Sequence, residues 1–430
     1  MSETNSKQQI RLTDTAINEC PVAAYREVHQ TGESMQYEED FGWVVWGAGA
    51  IRTMFTDTAR FSSELYGPEG PRHMGVMGVD AEPYNDEVRD LLAQYQRMDN
   101  ALFCADPPVH SRHRAIARKA LGPKWVRSIE PDIRAFAEET ADRFVADGRC
   151  ELISQYAVPI PLTVIADKLG IPREIHPDLR RWSDEMIIGS MEVLKNEKRV
   201  VIAHAVLEYQ AYMMERITER RETPQNDLLS ELVHLRVADG EDGVTDDRPL
   251  TDAELLTIVE QIFTAGNETT ANLIGNAMVL LARNPELMER IRGDFSLIPA
   301  FLEEVLRTEA PQRITARLVH ERLDLGGGKV AEPGEVVIAH LGAANYDGAE
   351  FECPFDFDMD DTKGRHLAFG HGPHFCPGAE LARTEARIAL EVLLERIEDV
   401  ALVDDAGLTR VPVYSLLGWE RIDLTFRSVA

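Results

Sequence analysis

A cysteine, Cys376, sits in the run Phe369-Gly370-His371-Gly372-Pro373-His374-Phe375-Cys376-Pro377-Gly378, and an amphipathic stretch follows from Ala379 to about Ile397. Three glycines and two prolines in ten residues propagate neither a helix nor a central strand, so the run is a shaped turn. A turn that feeds a helix aims backbone N–H groups at whatever occupies it, and that is where a thiolate is stabilised. The plainer role for a lone buried cysteine is that of a small hydrophobe.

A second group with chemical potential is Ala265-Gly266-Asn267-Glu268-Thr269-Thr270, inside a long helical pattern. Glycine within a helix costs about 1 kcal/mol relative to alanine, so its presence points to a close approach. Threonine can bond back to the carbonyl four residues earlier and bend the helix, opening its ladder to water or ligand. An acid buried beside a hydroxyl is expensive unless something uses its charge. A third pattern, Glu304-Val305-Leu306-Arg307, pairs acid and base at i,i+3 on a helix. The same spacing recurs at Glu289–Arg292 and Glu380–Arg383, so spacing alone does not single it out.

The arrangement Phe-Gly-x-Gly-x-His-x-Cys-x-Gly resembles the haem-binding loop of the cytochrome P450 family, in which a cysteine thiolate holds the iron. The resemblance runs from about residue 100 to the C-terminus and more weakly upstream. It implies haem b ligated by Cys376, with Phe369, His374 and Gly378 shaping the loop. Residues 265–270 resemble the family's oxygen-activation motif. By that resemblance Thr269 hydrogen-bonds dioxygen and Glu268 relays protons from solvent. Glu304 and Arg307 lie where the family places its structural pair, which implies a buried network with the segment near Asn345 and Phe355. Four positions match ligands of the haem propionates: His110 and Arg114 after Asp106-Pro107-Pro108, then Arg317, and His374 two residues before the cysteine. Departures from the family pattern are Trp125 in place of the usual Phe, and Asn345-Tyr346-Asp347 in place of Asn-Arg-Asp.

These groups need a scaffold, and the pattern around them is mainly helical. Thr251 and Glu254 form a capping box, and Leu255 to Ala282 carries only two charged residues, Glu260 and Glu268. Such a helix is about 42 Å long, the width of a domain. Gln261, Asn267, Glu268, Asn272 and Asn276 are too many polar groups for lipid, so it is expected to be a buried central helix. Phe41 to Gly47 reads as a strand, Asp86 to Tyr95 as a helix, Leu325 to Leu341 as a hairpin, and Tyr414 to Phe426 as a second small β-element. Strands are few and peripheral and no βαβ alternation appears, which argues against a dinucleotide-binding sheet. The expected fold is mainly α with small peripheral sheets: a cytochrome P450 fold, its long central helix over a buried haem. Residues 1–430 are expected to form one haem domain with no fused reductase.

With 430 residues and 44% hydrophobic content the chain can bury a large core. Five widely spaced cysteines, with no CxxC pair, read as a reduced cytoplasmic protein without a zinc ribbon or disulfide frame. A formal charge of −29 opposes binding to nucleic acid or anionic membrane. Against that background, Pro107 to Ile129 holds six basic residues (Arg112, Arg114, Arg118, Lys119, Lys124, Arg127) and no acidic one. That run is expected to dock an acidic ferredoxin.

The resemblance implies a monooxygenase that uses O2 and two electrons, drawn from NAD(P)H through a ferredoxin reductase and a ferredoxin. Two other readings are a peroxide-driven or non-oxygenating haem-thiolate enzyme acting on a fatty or aromatic acid, and a non-enzymatic haem sensor. Met74, Met77, Leu102, Met186, Ile187, Met191, Ile262 and Ile314 fall where the family builds its pocket, implying a lipophilic substrate of terpenoid to steroid size. Gln261, eight residues before Thr269, and Arg313, four before Arg317, are expected to be polar anchors within that pocket.

Overall fold

The structure, a computed structural model, describes residues 10–14, 17–39, 41–64, 82–96, 101–191, 194–236, 248–326, 328–359 and 365–429. Met74 and Met77 lie outside these residues, as does the side chain of Met191. The N-terminal part carries α1 (Pro21–Gln30), α2 (Ala48–Thr56), α3 (Asp86–Leu92), α4 (Val109–Ala120) and α5 (Pro123–Ala141). The middle is α6 (Pro159–Lys168), α7 (His176–Met191), α8 (Asn196–Glu222), α9 (Leu228–His234) and α10 (Asp252–Arg283). Then come α11 (Pro285–Gly293), α12 (Ile298–Thr308), α13 (Leu341–Ala344) and α14 (Ala379–Arg396). Among the described residues no helix is long and apolar enough to cross a membrane.

The strands are short and lie in three small sheets. The largest joins β1 (Met35–Glu38), β2 (Gly42–Val45), β8 (Val336–His340), β5 (Ile314–Val319) and β3 (Phe61–Ser62), in that spatial order. β2 and β8 are parallel, and the other pairs in that sheet are antiparallel. At Gly42, which has φ +81°, an added Cβ would lie 2.7 Å from the Val336 carbonyl oxygen, so the entry to β2 requires glycine. β4 (Arg149–Glu151), β10 (Asp423–Ser428) and β9 (Ile397–Leu402) make a second sheet. The hairpin expected over Leu325 to Leu341 is divided: β6 (Leu323–Gly326) pairs with β7 (Lys329–Ala331), while β8 leaves to pair with β5 and β2. Local turn chemistry predicted the hairpin, but the apolar run Val336–His340 is buried only against the larger sheet.

The central helix forms as its composition requires. The Thr251 hydroxyl accepts from the Glu254 backbone N–H, and the Glu254 carboxylate accepts from that of Thr251. α10 then runs unbroken for 32 residues. Thr264 and Thr269 do bond back, to the carbonyls of Glu260 and Ala265, each at 2.7 Å, without interrupting it. One half of α10 packs with α5, α12 and α14 in the largest core, through Leu273, Ile274 and Met278. The other half, through Leu255, Val259 and Phe263, packs with α6, α7 and α8. Between the two halves the helix is not fully covered, and that uncovered stretch is where the site begins.

Candidate active site

Residues 254–263 and 270–279 of α10 are buried, Glu260 excepted, but Thr264, Gly266, Glu268 and Thr269 retain accessible surface and Ala265 is exposed. A Cβ added to Gly266 would meet nothing within 4 Å. A helix crossing the centre of the protein therefore has an open face on the stretch that carries the acid and the hydroxyl. The Thr269 hydroxyl donates to the Ala265 carbonyl, so its free capacity is as an acceptor. Glu268 is held above the ordinary carboxylate range by burial and by the nearby charge of Asp184, with Arg180 acting the other way.

Cys376 lies in the loop before α14. Its backbone N–H donates to the Phe369 carbonyl at 2.9 Å, which folds the loop back on itself. Gly370 (φ +71°) and Gly372 (φ +70°) turn it, and a Cβ on Gly372 would come within 3.0 Å of the Phe55 carbonyl of α2. Burial pushes the Cys376 thiol up. The backbone N–H groups of Gly378 and Ala379 and the guanidinium groups of Arg114 and Arg383 oppose that rise. A metal cation over the sulfur would tip this balance to the thiolate. Cys20 and Cys353 are exposed, and Cys104 and Cys150 are buried.

His110, Arg114, Arg317 and His374 come together from α4, β5 and the cysteine loop. Burial first, then Arg114, takes His110 down to about 4. Burial first, then His110 and Arg317, takes His374 down to about 2. Arg317 is pushed down to about 10 by burial, although Asp106 opposes the fall. Its Nη1 donates to the Ala316 carbonyl at 2.6 Å, and its guanidinium lies 4.9 Å from the Phe55 ring centroid. Neither Arg114 nor Arg317 forms an ion pair among the described residues. The buried Arg317, the half-buried Arg114 and two neutral imidazoles, with Asp106 as the one nearby acid among the described residues, carry more positive charge than they find partners for, and two propionates fit them. With the half-buried Cys376 thiol and the open face of α10, the residues present fit a haem.

The Glu304–Arg307 pair is buried, at 2.6 Å. Arg307 also donates to the carbonyls of Asn345 (3.0 Å), Pro354 (2.7 Å) and Asp356 (2.7 Å), and Glu304 accepts from the Asp358 N–H at 2.7 Å. The other two sequence matches differ. Glu289 and Arg292 are 3.7 Å apart at the surface. Arg383 bonds Glu303 at 2.6 and 2.9 Å and not Glu380. His366 is 3.1 Å from the same carboxylate. Burial raises Glu303, but the His366 and Arg383 bonds outweigh it and bring it down to about 2. Arg383 is thereby fixed 4.4 Å from the Phe369 ring centroid, behind the cysteine. The sequence held a signal for this set in Glu380–Arg383, but local spacing named the wrong acid.

Three expectations need correction. Gln261 is buried, with its Nε2 donating to the Ala101 carbonyl at 3.1 Å and its Oε1 accepting from the Phe103 N–H at 3.4 Å. It fastens the chain before α4, so both ends of its amide already have partners. Arg313 is 1% exposed and bonds Asn18 and the Tyr414 carbonyl, and Ile314 packs with Leu12 and Tyr25. Residues 313 and 314 thus belong to the N-terminal packing and do not join Gln261 in a pocket. Ile262, by contrast, shares a cluster with Leu102 and Met186. Arg112, counted among the basic surface residues, is buried on Glu254 (2.9 Å) and the Arg248 carbonyl (2.6 Å), and His113 lies 2.9 Å from the same acid. Arg118, Lys119, Lys124 and Arg127 keep the exposed positions of that run.

The family model for cytochrome P450 matches residues 190–400. The chain is 37% identical over 321 residues to cytochrome P450 107B1 of Saccharopolyspora erythraea, covering 72% of this chain and 75% of that one. It is 34% identical over 390 residues to the 6-deoxyerythronolide B hydroxylase of the same organism, covering 89% and 90%. The solved structure of cytochrome P450 CYP109Q5 from Chondromyces apiculatus superposes with a TM-score of 0.82 at 31% identity, covering 98% of both chains. The chain belongs to the cytochrome P450 family and is a monooxygenase of that family.

Proposed function

We propose that this chain oxidises a small lipophilic organic substrate with dioxygen and two electrons supplied by a ferredoxin, as a single haem domain working in the cytoplasm. The observation that carries the reading is the open face of α10, where Glu268 and Thr269 stand side by side between two buried halves of the helix. A haem sensor has no use for a proton-handling pair there.

Cys376 would hold the iron, Arg114, Arg317, His110 and His374 the two propionates, and Phe369 and Gly378 would shape the loop. Haem bound there supplies the one-electron and dioxygen chemistry. Glu268, with its affinity for protons raised by burial, takes a proton from the Asp184 side and passes it toward Thr269. The Thr269 hydroxyl must leave the Ala265 carbonyl to donate into the open face, so it switches between two acceptors. Leu102, Met186 and Ile262 give the nearby wall its apolar character. The exposed Arg118, Lys119, Lys124 and Arg127 form the face toward an acidic electron donor.

The test has two parts. The reduced, CO-bound protein should show the red-shifted Soret band of a haem thiolate, lost in Cys376→Ser and kept in Cys353→Ser. Product should form with NADH and a surrogate ferredoxin pair; formation with hydrogen peroxide alone and none with NADH would establish the peroxide-driven reading.

A further inference from the structure

Glu260 lies one turn before the open stretch of α10, keeps accessible surface and has no part in the oxygen chemistry. Glu260, Thr264 and Glu268 are spaced i, i+4, i+8, a single row about 12 Å long on α10. All three retain accessible surface, while their neighbours Val259, Gln261, Ile262 and Phe263 are buried. The carboxylate of Glu260 makes no hydrogen bond or ion pair among the described residues. Glu254, six residues earlier on the same helix, accepts from Arg112, Arg248 and the Thr251 N–H. Among the described residues, the fold thus supplies cations to one acid of this helix and none to the other. A carboxylate largely withdrawn from water without a cation is unfavourable, and glutamine would fill the same volume without that cost. The arrangement becomes favourable when a ligand brings the cation.

From these observations we infer that Glu260 recognises a positively charged nitrogen on the substrate, so that the substrate class is a lipophilic amine. The inference rests on the reading of this stretch as the substrate cavity. Glu260 and Thr269 are nine residues apart, about 13 Å along the axis, so the nitrogen is held far from the carbon that reacts. The amine must be extended, and its charged end sets which carbon is presented.

The charge state of the site agrees with this. Burial alone raises Glu260 to about 7, so it is ready to lose its proton to water when a cation arrives. The groups facing it are Tyr209 of α8 and Tyr95 after α3, both raised by burial and neutral throughout the physiological range. Further along the row lies Glu268, with Asp184 and Arg180 of α7 beyond it, themselves paired at 3.7 Å. No cation in this set reaches Glu260.

The experiment uses the haem-loaded protein and matched ligands. One is an ω-phenylalkyl trimethylammonium ion, and the other is its neutral isostere with carbon in place of nitrogen, both taken over a series of chain lengths. A quaternary nitrogen has no lone pair and cannot ligate iron. Dissociation constants come from calorimetry and from the Soret shift. The cation should bind wild type about tenfold more tightly than its isostere at pH 8, as a charge-assisted contact requires. The preference should shrink as pH falls through 7, because the binding form is the deprotonated one. Glu260→Gln should abolish the preference and keep the affinity for the isostere. Equal binding of the pair by wild type, failure of every cation in the series to bind, or a preference that survives Glu260→Gln overturns the inference. So does a preference lost in Glu268→Gln and kept in Glu260→Gln. A protein that keeps the haem-thiolate band but shows no cation preference loses this inference alone; one without the band loses the reading beneath it.

Discussion

The imidazole rings of His110 and His374 stack with centroids 3.9 Å apart and planes 30° apart, joining α4 to the cysteine loop. Two protonated rings could not approach so closely beside Arg114 and Arg317. Burial and those charges keep both neutral, with His110 near 4 and His374 near 2. The contact therefore couples the cysteine loop to the helix that supplies two of the cationic-site residues, and Ser63 Oγ, 3.1 Å from His374 Nε2, ties in the end of the β3 segment.

Removing a charge from this set should weaken retention of the haem and leave the thiolate intact. Arg317→Leu should release haem to apomyoglobin about tenfold faster, the scale of one charge-assisted hydrogen bond. The CO-bound Soret band of the fraction that keeps haem should be unchanged. Unaltered release would separate Arg317 from the propionates.

Thr269→Ala should bind haem and substrate as wild type does. NADH should still be consumed, with hydrogen peroxide appearing in place of product, because the hydroxyl that directs the proton is gone. The measurement is the ratio of product to NADH, and an unchanged ratio removes Thr269 from the chemistry.

Glu304→Ala leaves Arg307 buried without its partner, although three backbone carbonyls still accept from it. Breaking a buried pair costs about 3–5 kcal/mol. Urea unfolding followed by fluorescence should show a loss of that size, together with poor haem incorporation during expression. Glu289→Ala, at the exposed pair of the same spacing, should change stability by less than about 1 kcal/mol.

Glu385 in α14 is 2% exposed and has no side-chain partner among the described residues, and burial alone raises it to about 8. An acid raised on folding binds more protons in the native state between its unfolded value, near 4.5, and about 8. Stability therefore falls as pH rises through that window. Glu385→Gln should remove that slope, so that its advantage over wild type is absent at pH 4.5 and grows by up to about 1.4 kcal/mol per pH unit toward 8. A constant difference across pH would show that Glu385 does not titrate there.

What the sequence determined by itself was whatever rests on local chemistry. The glycine-punctuated loop around Cys376, the capping box at Thr251 and the apolar run of α10 each require only a residue's near neighbours, and all were legible. The order His110, Arg114, Arg317 and His374 was legible as a resemblance, but that four side chains from α4, β5 and the loop meet was a result of packing. Partner choice was decided in tertiary structure alone. Arg383 took Glu303 over its i−3 neighbour Glu380, Gln261 and Arg313 turned to Ala101 and Asn18, and Arg112 was drawn inward to Glu254. A buried charge or amide must be satisfied by whichever group the fold brings within 3 Å, and that group is usually distant in sequence. The same rule makes Glu260 informative, because among the described residues the fold brings its carboxylate no partner.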